Sequence, residues 1–345
     1  MTGFKTYFKS HFKSKISVFI LILAVVATVT LIISIRSQPY QQTDYDEVKK
    51  EFVYSQDYRS TVWAPVTVLS FLAYILPVAE FSFFKKRRNL DCAYAMPISR
   101  RAMGMVHYLI GLITLSSAFT LSYICNLIVM LTRGSGYFDY APMIWHYFLS
   151  LVLGAVIYSF LTFVFNEGNT VGDGMWFMFL YSLVFFFITF SFMVIVDASN
   201  VTDGNEVFCA VPIAVIYTLT GHAEYLIELD YSEYHTNSWT SPGFIVWLVL
   251  WIILGVASVI GIYYTFGKRR TEKTGEISDS YFGYRVLIPV CGFSLIVAFM
   301  DMLVMGIIVF VIAIIGYTIF RRGIHYKKSD ILMLGLMLLL AIVLS

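Results

Sequence analysis

Long apolar runs dominate the chain. The first extends from Ile16 to Ile35, and five more follow at approximately 62–84, 104–132, 143–165, 174–196 and 243–266. An apolar helix of about 20 residues crosses a hydrocarbon layer of roughly 30 Å. The runs do not alternate between apolar and polar positions, so they favour helices over the strands of a membrane barrel. The pattern predicts an all-α, polytopic transmembrane helical bundle.

The apolar stretch from Val286 to Phe320 is too long for one crossing. Its 35 residues would form a helix of about 52 Å. Basic residues flank both of its ends, which places both ends on one side of the membrane. We therefore expect a helical hairpin that turns near residues 301–306. A last apolar run, Ile331 to Leu344, is barely long enough to cross. We expect about 8–9 spans in all, and we expect the chain to continue beyond Ser345.

Lys and Arg residues are concentrated on one set of connections. Four lie before residue 16, six in 85–101, five in 268–285 and four in 321–328, whereas the alternate connections hold five. Cytoplasmic loops carry such an excess, so the N-terminus is predicted to be cytoplasmic. Hydrophobic residues make up 59% of the chain and charged residues 13%, against roughly a quarter charged in soluble domains. One connection, 166–174, must be cytoplasmic in this topology yet has no Lys or Arg.

Residues 1–15 are predicted to form an amphipathic interfacial helix. Aromatic rings and ammonium groups occupy two parallel stripes, which consist of Phe4, Phe8 and Phe12 and of Lys5, Lys9 and Lys13. Such a helix lies in the headgroup plane, with its rings in the acyl boundary and its cations towards anionic lipid. A frayed basic tail is the alternative. A cleaved signal peptide is disfavoured because the run from Ile16 is too long and no small-residue cleavage site follows it.

The remaining chain divides into a six-span core at 16–266 and an extension at 267–345. Within the core, the outer loop 197–242 contains seven acidic residues and no Lys or Arg. Its apolar insert, Val207 to Leu219, is too short to span and suits a re-entrant or interfacial segment. The extension is predicted to contain a cytoplasmic loop, the helical hairpin and the last apolar span.

Sequence motifs for catalysis or cofactor binding are missing. The chain has no phosphate-binding G-x-x-x-x-G-K-[ST] loop, no G-x-S-x-G elbow and no H-E-x-x-H pair. Its four cysteines are isolated and its six histidines are scattered, so we expect no metal site. The spans are almost free of ionisable residues, since Glu80, His107 and His146 lie near span ends. This weighs against an ion-coupled carrier and against an enzyme acting within the membrane. We expect no cofactor on this chain.

The loop 85–103 after the second span is the most informative segment. Its basic flanks alone indicate a cytoplasmic anchor, but its centre favours a short helix. Asn89 or Asp91 is predicted to cap this helix and Pro97 to end it. Ser99 is predicted to cap the next span. A short helix held along the membrane by basic flanks is suited to docking a cytosolic partner.

The run R-N-L-D-C-A-Y-A-M-P-I-S-R-R in this loop resembles the D-x-x-x-x-x-P-[IV]-S-R loop of type-2 ATP-binding-cassette (ABC) exporter permeases, especially Firmicutes-type ones. In that family an N-terminal interfacial helix precedes the first span, and this loop forms a coupling helix that inserts into a separate ATPase. The resemblance implies an ATPase-coupling loop with these contact residues: Asn89, Leu90, Asp91, Tyr94, Met96, Pro97, Ser99 and Arg100. The extension beyond residue 266 departs from a six-span exporter and points to an expanded permease.

The resemblance also implies the partners and the location. ATP and Mg²⁺ would be bound by the cytosolic ABC ATPase subunit, so the chain itself is not expected to be an enzyme. A second permease chain, as a homo- or heterodimer, and membrane lipid are expected partners, and nucleic acid is not. The location would be the cell membrane, with a bacterial cytoplasmic membrane expected. The substrate would be a peptide, an antimicrobial or a lipid-like molecule. The alternative is a non-transporting membrane scaffold or sensor whose acidic extracellular loops form a receptor surface.

Overall fold

The computed structural model of the protein describes most of the chain. The described residues are 2–36, 40–46, 51–57, 59–133, 140–196, 242–268, 274–299 and 303–343. The predicted insert Val207–Leu219 and nearly all of the outer loop 197–242 lie outside the described residues.

Ten α-helices form the described bundle. They are α1 (Thr2–Arg36), α2 (Arg59–Phe81), α3 (Arg87–Tyr94), α4 (Arg100–Arg133), α5 (Tyr140–Glu167), α6 (Val171–Val196), α7 (Pro242–Lys268), α8 (Tyr284–Ala298), α9 (Leu303–Arg321) and α10 (Lys328–Val343). A 3₁₀ turn at Ser82–Lys85 follows α2. Seven of these helices (α1, α2, α4, α5, α6, α7 and α9) are long and apolar enough to cross a membrane. The prediction of an all-α, multi-pass membrane bundle is confirmed.

A small β-hairpin between α1 and α2 was not predicted. Strand β1 (Tyr40–Asp46) pairs antiparallel with β2 (Glu51–Asp57), with Tyr40 opposite Asp57 and Asp46 opposite Glu51. The two strands follow the first span and precede the second, so the hairpin lies on the side opposite the basic loops. The helical character of the membrane region is unaffected.

The centre of the bundle consists of α2, α4 and α5. Helix α1 packs on α4 and α2, α7 packs on α5 and α4, and α6 packs on α5. One apolar core runs through these helices, and its largest fully buried side chains include Phe119, Tyr158 and Phe165. Close helix approach requires glycine in places. A Cβ at Gly154 on α5 would lie 2.7 Å from Leu69 on α2, and one at Gly104 on α4 would lie 2.5 Å from Phe266 on α7. Small residues of this kind let membrane helices approach closely.

Polar side chains join α1 to α4 in the outer half of the bundle. The hydroxyl oxygens of Thr30 and Ser122 are 2.7 Å apart, and Ser34 Oγ donates to Asn126 Oδ1 at 2.7 Å. All four residues are buried. Since hydrocarbon offers no hydrogen-bond partner, the three hydroxyl groups and the Asn126 carbonyl oxygen pair across the two helices.

The N-terminal segment differs from the prediction of a separate interfacial helix. Residues 2–36 form one continuous helix of 35 residues. The chain has no Gly or Pro between residues 4 and 38 that would end a helix. At about 52 Å, α1 exceeds the roughly 30 Å hydrocarbon thickness, so its first turns extend beyond the apolar layer. These turns pack against α2 and α4 on the side of the basic loops, as the site geometry below shows.

The C-terminal helices form a small unit of their own. Helices α8 and α9 are separated at residues 299–302, close to the predicted hairpin turn, and α10 packs on both. A second apolar core lies among them, and the unit joins the main bundle through α8 and α6. The buried Asp330 accepts hydrogen bonds from Arg321 Nε at 2.7 Å and Arg321 Nη2 at 2.9 Å. This bidentate pair ties the end of α9 to the start of α10.

We expect Arg321→Met to destabilise the C-terminal unit by about 1–3 kcal/mol, because it leaves the buried Asp330 carboxylate without its cation. The double variant R321M/D330L should recover most of this loss, since it removes both charges. Unfolding of the purified protein in detergent by titration with a denaturing detergent measures both. Equal destabilisation by the single and double variants would contradict the assigned pairing.

Candidate functional site

Three connections meet on one face of the bundle. They are residues 82–100 with α3, residues 166–170 between α5 and α6, and residues 274–280 between α7 and α8. We call these segments the cytoplasmic platform, because the first of them contains the basic cluster of residues 85–101 and the Lys and Arg distribution predicts this face to be cytoplasmic. The platform is the candidate functional site because α3 is the predicted docking helix.

Lys85 anchors the platform to the end of α5. Its side chain is buried at 5% exposure. The ammonium group donates to the carbonyl oxygen of Phe165 at 2.7 Å and also to that of Gly168. The last carbonyls of a helix have no partner within the helix and carry partial negative charge. A cation at this position therefore satisfies two acceptors and stabilises the C-terminus of α5.

The other two connections are tied to each other and to α3. Arg87 Nε donates to the carbonyl oxygen of Thr274 at 2.7 Å. Ser278 Oγ donates to the Glu167 carbonyl at 2.6 Å, and Ser280 Oγ donates to the Glu167 carboxylate. The loop 166–170 thus lies on the face of the basic loops although it has no Lys or Arg of its own. The loop thus shares a face with the basic loops, as the predicted topology requires. A neighbouring connection supplies the cation, Lys85, that binds there.

Helix α3 begins earlier than predicted. It runs from Arg87 to Tyr94, so neither Asn89 nor Asp91 is its cap. The side chain of Asn89 is half-buried and that of Asp91 is exposed. Leu90 and Tyr94 lie on α3, but their side chains are outside the described part of the structure. A tight turn follows the helix. In it the amide of Ile98 donates to the carbonyl oxygen of Met96 at 2.7 Å.

The entry into α4 agrees with the prediction. Ser99 Oγ accepts a hydrogen bond from the amide of Ala102 at 3.3 Å, and Ser99 O accepts from the amide of Met103 at 3.0 Å. This is the geometry of an N-cap residue, with Arg100 as the first helical residue. Met96 is half-buried, whereas Pro97, Ser99 and Arg100 are exposed. The cap fixes the direction in which the loop 85–103 enters α4.

The two predicted stripes of the N-terminal segment lie on the outside of α1. The cations are exposed and the rings are half-buried, as the positions of Lys5, Lys9, Lys13, Phe4, Phe8 and Phe12 show. Phe8 and Phe12 stack with ring centroids 6.2 Å apart. The inward stripe, which the sequence analysis did not single out, consists of Tyr7, His11 and Lys15.

This inward stripe meets Glu80 of α2 and His107 of α4. Lys15 Nζ donates to Glu80 Oε2 at 2.8 Å. His107 Nδ1 and His11 Nε2 lie 3.4 Å and 3.9 Å from the same oxygen. We call these four residues, together with Tyr7, the Glu80 cluster. Sequence reasoning noted Glu80 and His107 near span ends but had no signal that α1 would bring His11 between them.

The described residues also line two apolar spaces within the membrane region. A groove of about 740 Å³ lies between α2 and α6. Its polar groups are few, and the hydroxyl oxygens of Tyr74 and Ser182 within it are 2.6 Å apart. Its rim residues Ile75, Met175 and Phe179 are exposed, so the groove opens towards lipid. A second space of about 360 Å³ lies between α6, α8 and α9.

Comparison with known proteins does not assign a family. No family model matches the sequence, and no curated protein matches it either. The resemblance to exporter permeases therefore rests on the coupling-loop motif and on the layout of the spans.

We expect Lys85→Met to lower the free energy of unfolding by about 1–3 kcal/mol, since the carbonyl oxygens of Phe165 in α5 and of Gly168 just after it lose a buried charged donor. Lys86→Met is the matched control, because Lys86 is exposed, and it should change stability by less than about 0.5 kcal/mol. Unfolding in detergent checks both variants. Similar stabilities for the two variants would show that Lys85 does not anchor the platform.

Proposed function

We propose that the protein is the permease subunit of an ATP-driven transporter, with α3 as the helix that docks a separate ATPase chain. The observation that carries the proposal is the placement of α3. It is a short helix between two spans, on the face predicted to be cytoplasmic. The side chains of Lys85, just before it, and Arg87, its first residue, donate to backbone carbonyls of both neighbouring loops. The chain itself contains no phosphate-binding loop, so ATP and Mg²⁺ would be bound by the partner.

The attachments of α3 support a role in transmitting motion. The 3₁₀ turn Ser82–Lys85 joins it to α2, and the Ser99 cap joins it to α4. Lys85 links it to the end of α5, and Arg87 links it to the segment before α8. A displacement of α3 by a partner would therefore act on four helices at once. Rigid elements joined by specific contacts are what coupling between distant sites requires.

The membrane region supports an apolar or amphipathic substrate. The groove between α2 and α6 is almost entirely apolar and opens towards lipid. A lipid-like molecule or the apolar part of a peptide antimicrobial fits such a surface. Exposed apolar residues on α1 and α7, among them Leu21 and Ile253, leave room for a second permease chain in the membrane. A bacterial cytoplasmic membrane is the proposed location.

A non-transporting scaffold or sensor is the competing function. Its receptor surface would be the acidic outer loop 197–242, of which 197–241 lie outside the described residues. The two functions differ in what binds the cytoplasmic platform: the transporter requires an ATPase there, and the sensor does not.

We expect the double variant Y94D/M96D to abolish co-purification of an ATPase with this chain, because two carboxylates would be placed on the docking helix and the turn that follows it. Ile324→Asp is the matched control. Ile324 is an exposed apolar residue on another connection of the same face, and its replacement should leave the complex intact. The measurement is affinity capture from native membranes, followed by identification of a chain with a phosphate-binding loop and by an assay of bound ATPase activity.

Two results would contradict the proposal. The first is capture of no ATPase by the wild-type chain under conditions that preserve membrane complexes, which would favour the sensor. The second is labelling of the Ser99→Cys variant, in a chain whose four native cysteines are replaced by serine, by an impermeant reagent from outside intact cells. That result would place α3 on the side that lacks ATP.

A further inference from the structure

The Glu80 cluster contains two imidazole nitrogens that face one carboxylate without a hydrogen bond. His107 is 2% exposed, and neither its Nδ1 nor His11 Nε2 has a hydrogen-bond partner. A buried polar atom without a partner costs free energy, so its persistence in the fold needs a reason. We propose that His11, Glu80 and His107 form a binding site for a divalent transition-metal ion, for which Zn²⁺ is the probe.

The distances suit a metal ion. The two nitrogens and one Glu80 oxygen all lie within 4.8 Å of one another, and His107 Nδ1 is already 3.4 Å from that oxygen. With Zn–N and Zn–O bonds near 2.1 Å, neighbouring ligand atoms of a tetrahedral site are about 3.4 Å apart. Small side-chain rotations therefore close the site. Two imidazoles and one carboxylate are a common ligand set for Zn²⁺ and related ions, and they leave one position for water.

The second ring nitrogen of His107 supports this assignment. His107 Nε2 lies 3.2 Å from the hydroxyl oxygen of Tyr7. With the proton on Nε2 and donated to Tyr7, the Nδ1 lone pair points into the site. Histidine ligands usually have such an outer partner, which fixes the tautomer and the ring orientation. Phe84 packs edge-on against the His107 ring, with centroids 4.7 Å apart, and restricts its rotation further.

Lys15 is the group that competes with the metal. Its ammonium binds the same Glu80 oxygen at 2.8 Å, and its side chain is 30% exposed. A long flexible side chain at this exposure can turn towards water when a dication takes its place. Lys15 would then lower metal affinity by charge repulsion, and the site would be occupied only above a threshold metal concentration. Removal of the Lys15 charge should therefore tighten metal binding, which would not be expected if the cluster were purely structural.

A bound ion would link α1, α2 and α4 at the level of the platform. Glu80 lies directly before Phe81 and the 3₁₀ turn that leads into α3. The ion would therefore restrict the first turns of α1 and the approach to the docking helix. The metal site does not depend on the proposed transport function, because it is formed by this chain alone.

The test is zinc titration of the purified, untagged protein in detergent after chelator treatment, by calorimetry or by competition with a chelating dye. Wild type should bind one equivalent. His107→Gln should weaken binding by at least about a hundredfold, since a ligand is lost, and Tyr7→Phe by roughly tenfold, since the outer hydrogen bond is lost. Lys15→Met should tighten binding by roughly tenfold, because a nearby positive charge is removed. His325→Gln, at an exposed histidine outside the cluster, should leave affinity unchanged.

Several outcomes would overturn the proposal. They are the absence of stoichiometric zinc binding by wild type, equal affinity in wild type and His107→Gln, and unchanged or weaker affinity in Lys15→Met. Thermal unfolding without zinc shows which variants are folded. Should His107→Gln fail to fold, Tyr7→Phe and Lys15→Met still decide the matter with their opposite expected shifts.

Discussion

The arrangement of the loops in the cytoplasmic platform depends on the C-terminal end of α5, where backbone carbonyl oxygens bind side chains of the two neighbouring connections. A helix leaves its last carbonyl oxygens without intrahelical partners, and near a membrane few waters reach a buried helix end. Lys85, from the 3₁₀ turn after α2, donates to the Phe165 carbonyl of α5 and to the Gly168 carbonyl just after it. The same interaction therefore stabilises α5, fixes the start of the segment that contains α3, and places a loop without basic residues on the basic side. Arg87 and Ser278 extend this arrangement to the segment before α8.

Cations on this face have several structural uses beyond orientation in the membrane. Lys85 binds helix carbonyls, Arg321 pairs with a buried carboxylate, and Lys15 occupies one side of Glu80. Lys9 and Lys86 remain exposed. The positive-inside rule counts all of these residues equally. It therefore predicts one side of the membrane for all of them and gives no information on which cations are bound and which are solvated.

The Glu80 cluster and the platform lie at consecutive positions along α2 and its 3₁₀ turn. Glu80 is on the bundle side of Phe81, and Lys85 is on the cytoplasmic side. Phe81 and Phe84 are fully buried between them and pack against Phe266. This aromatic packing separates the two charged sites by a short rigid segment. That turn is the segment of chain that joins the Glu80 cluster to α3.

The sequence by itself determined the membrane class, the approximate spans and the N-cap at Ser99, and it predicts which side is cytoplasmic. Each of these follows from local pattern: apolar length, the distribution of Lys and Arg, and a hydroxyl before a helix. Only the tertiary structure decided that residues 2–15 continue into the first span, that α3 starts at Arg87, and that His11 approaches Glu80 and His107. These features depend on packing between segments far apart in the chain. The hydropathy of α1 is the same whether or not its inward stripe contacts α2 and α4, so it could not predict them. The amphipathic pattern of the N-terminus was compatible with both arrangements, and the contacts of α1 with α2 and α4 selected one.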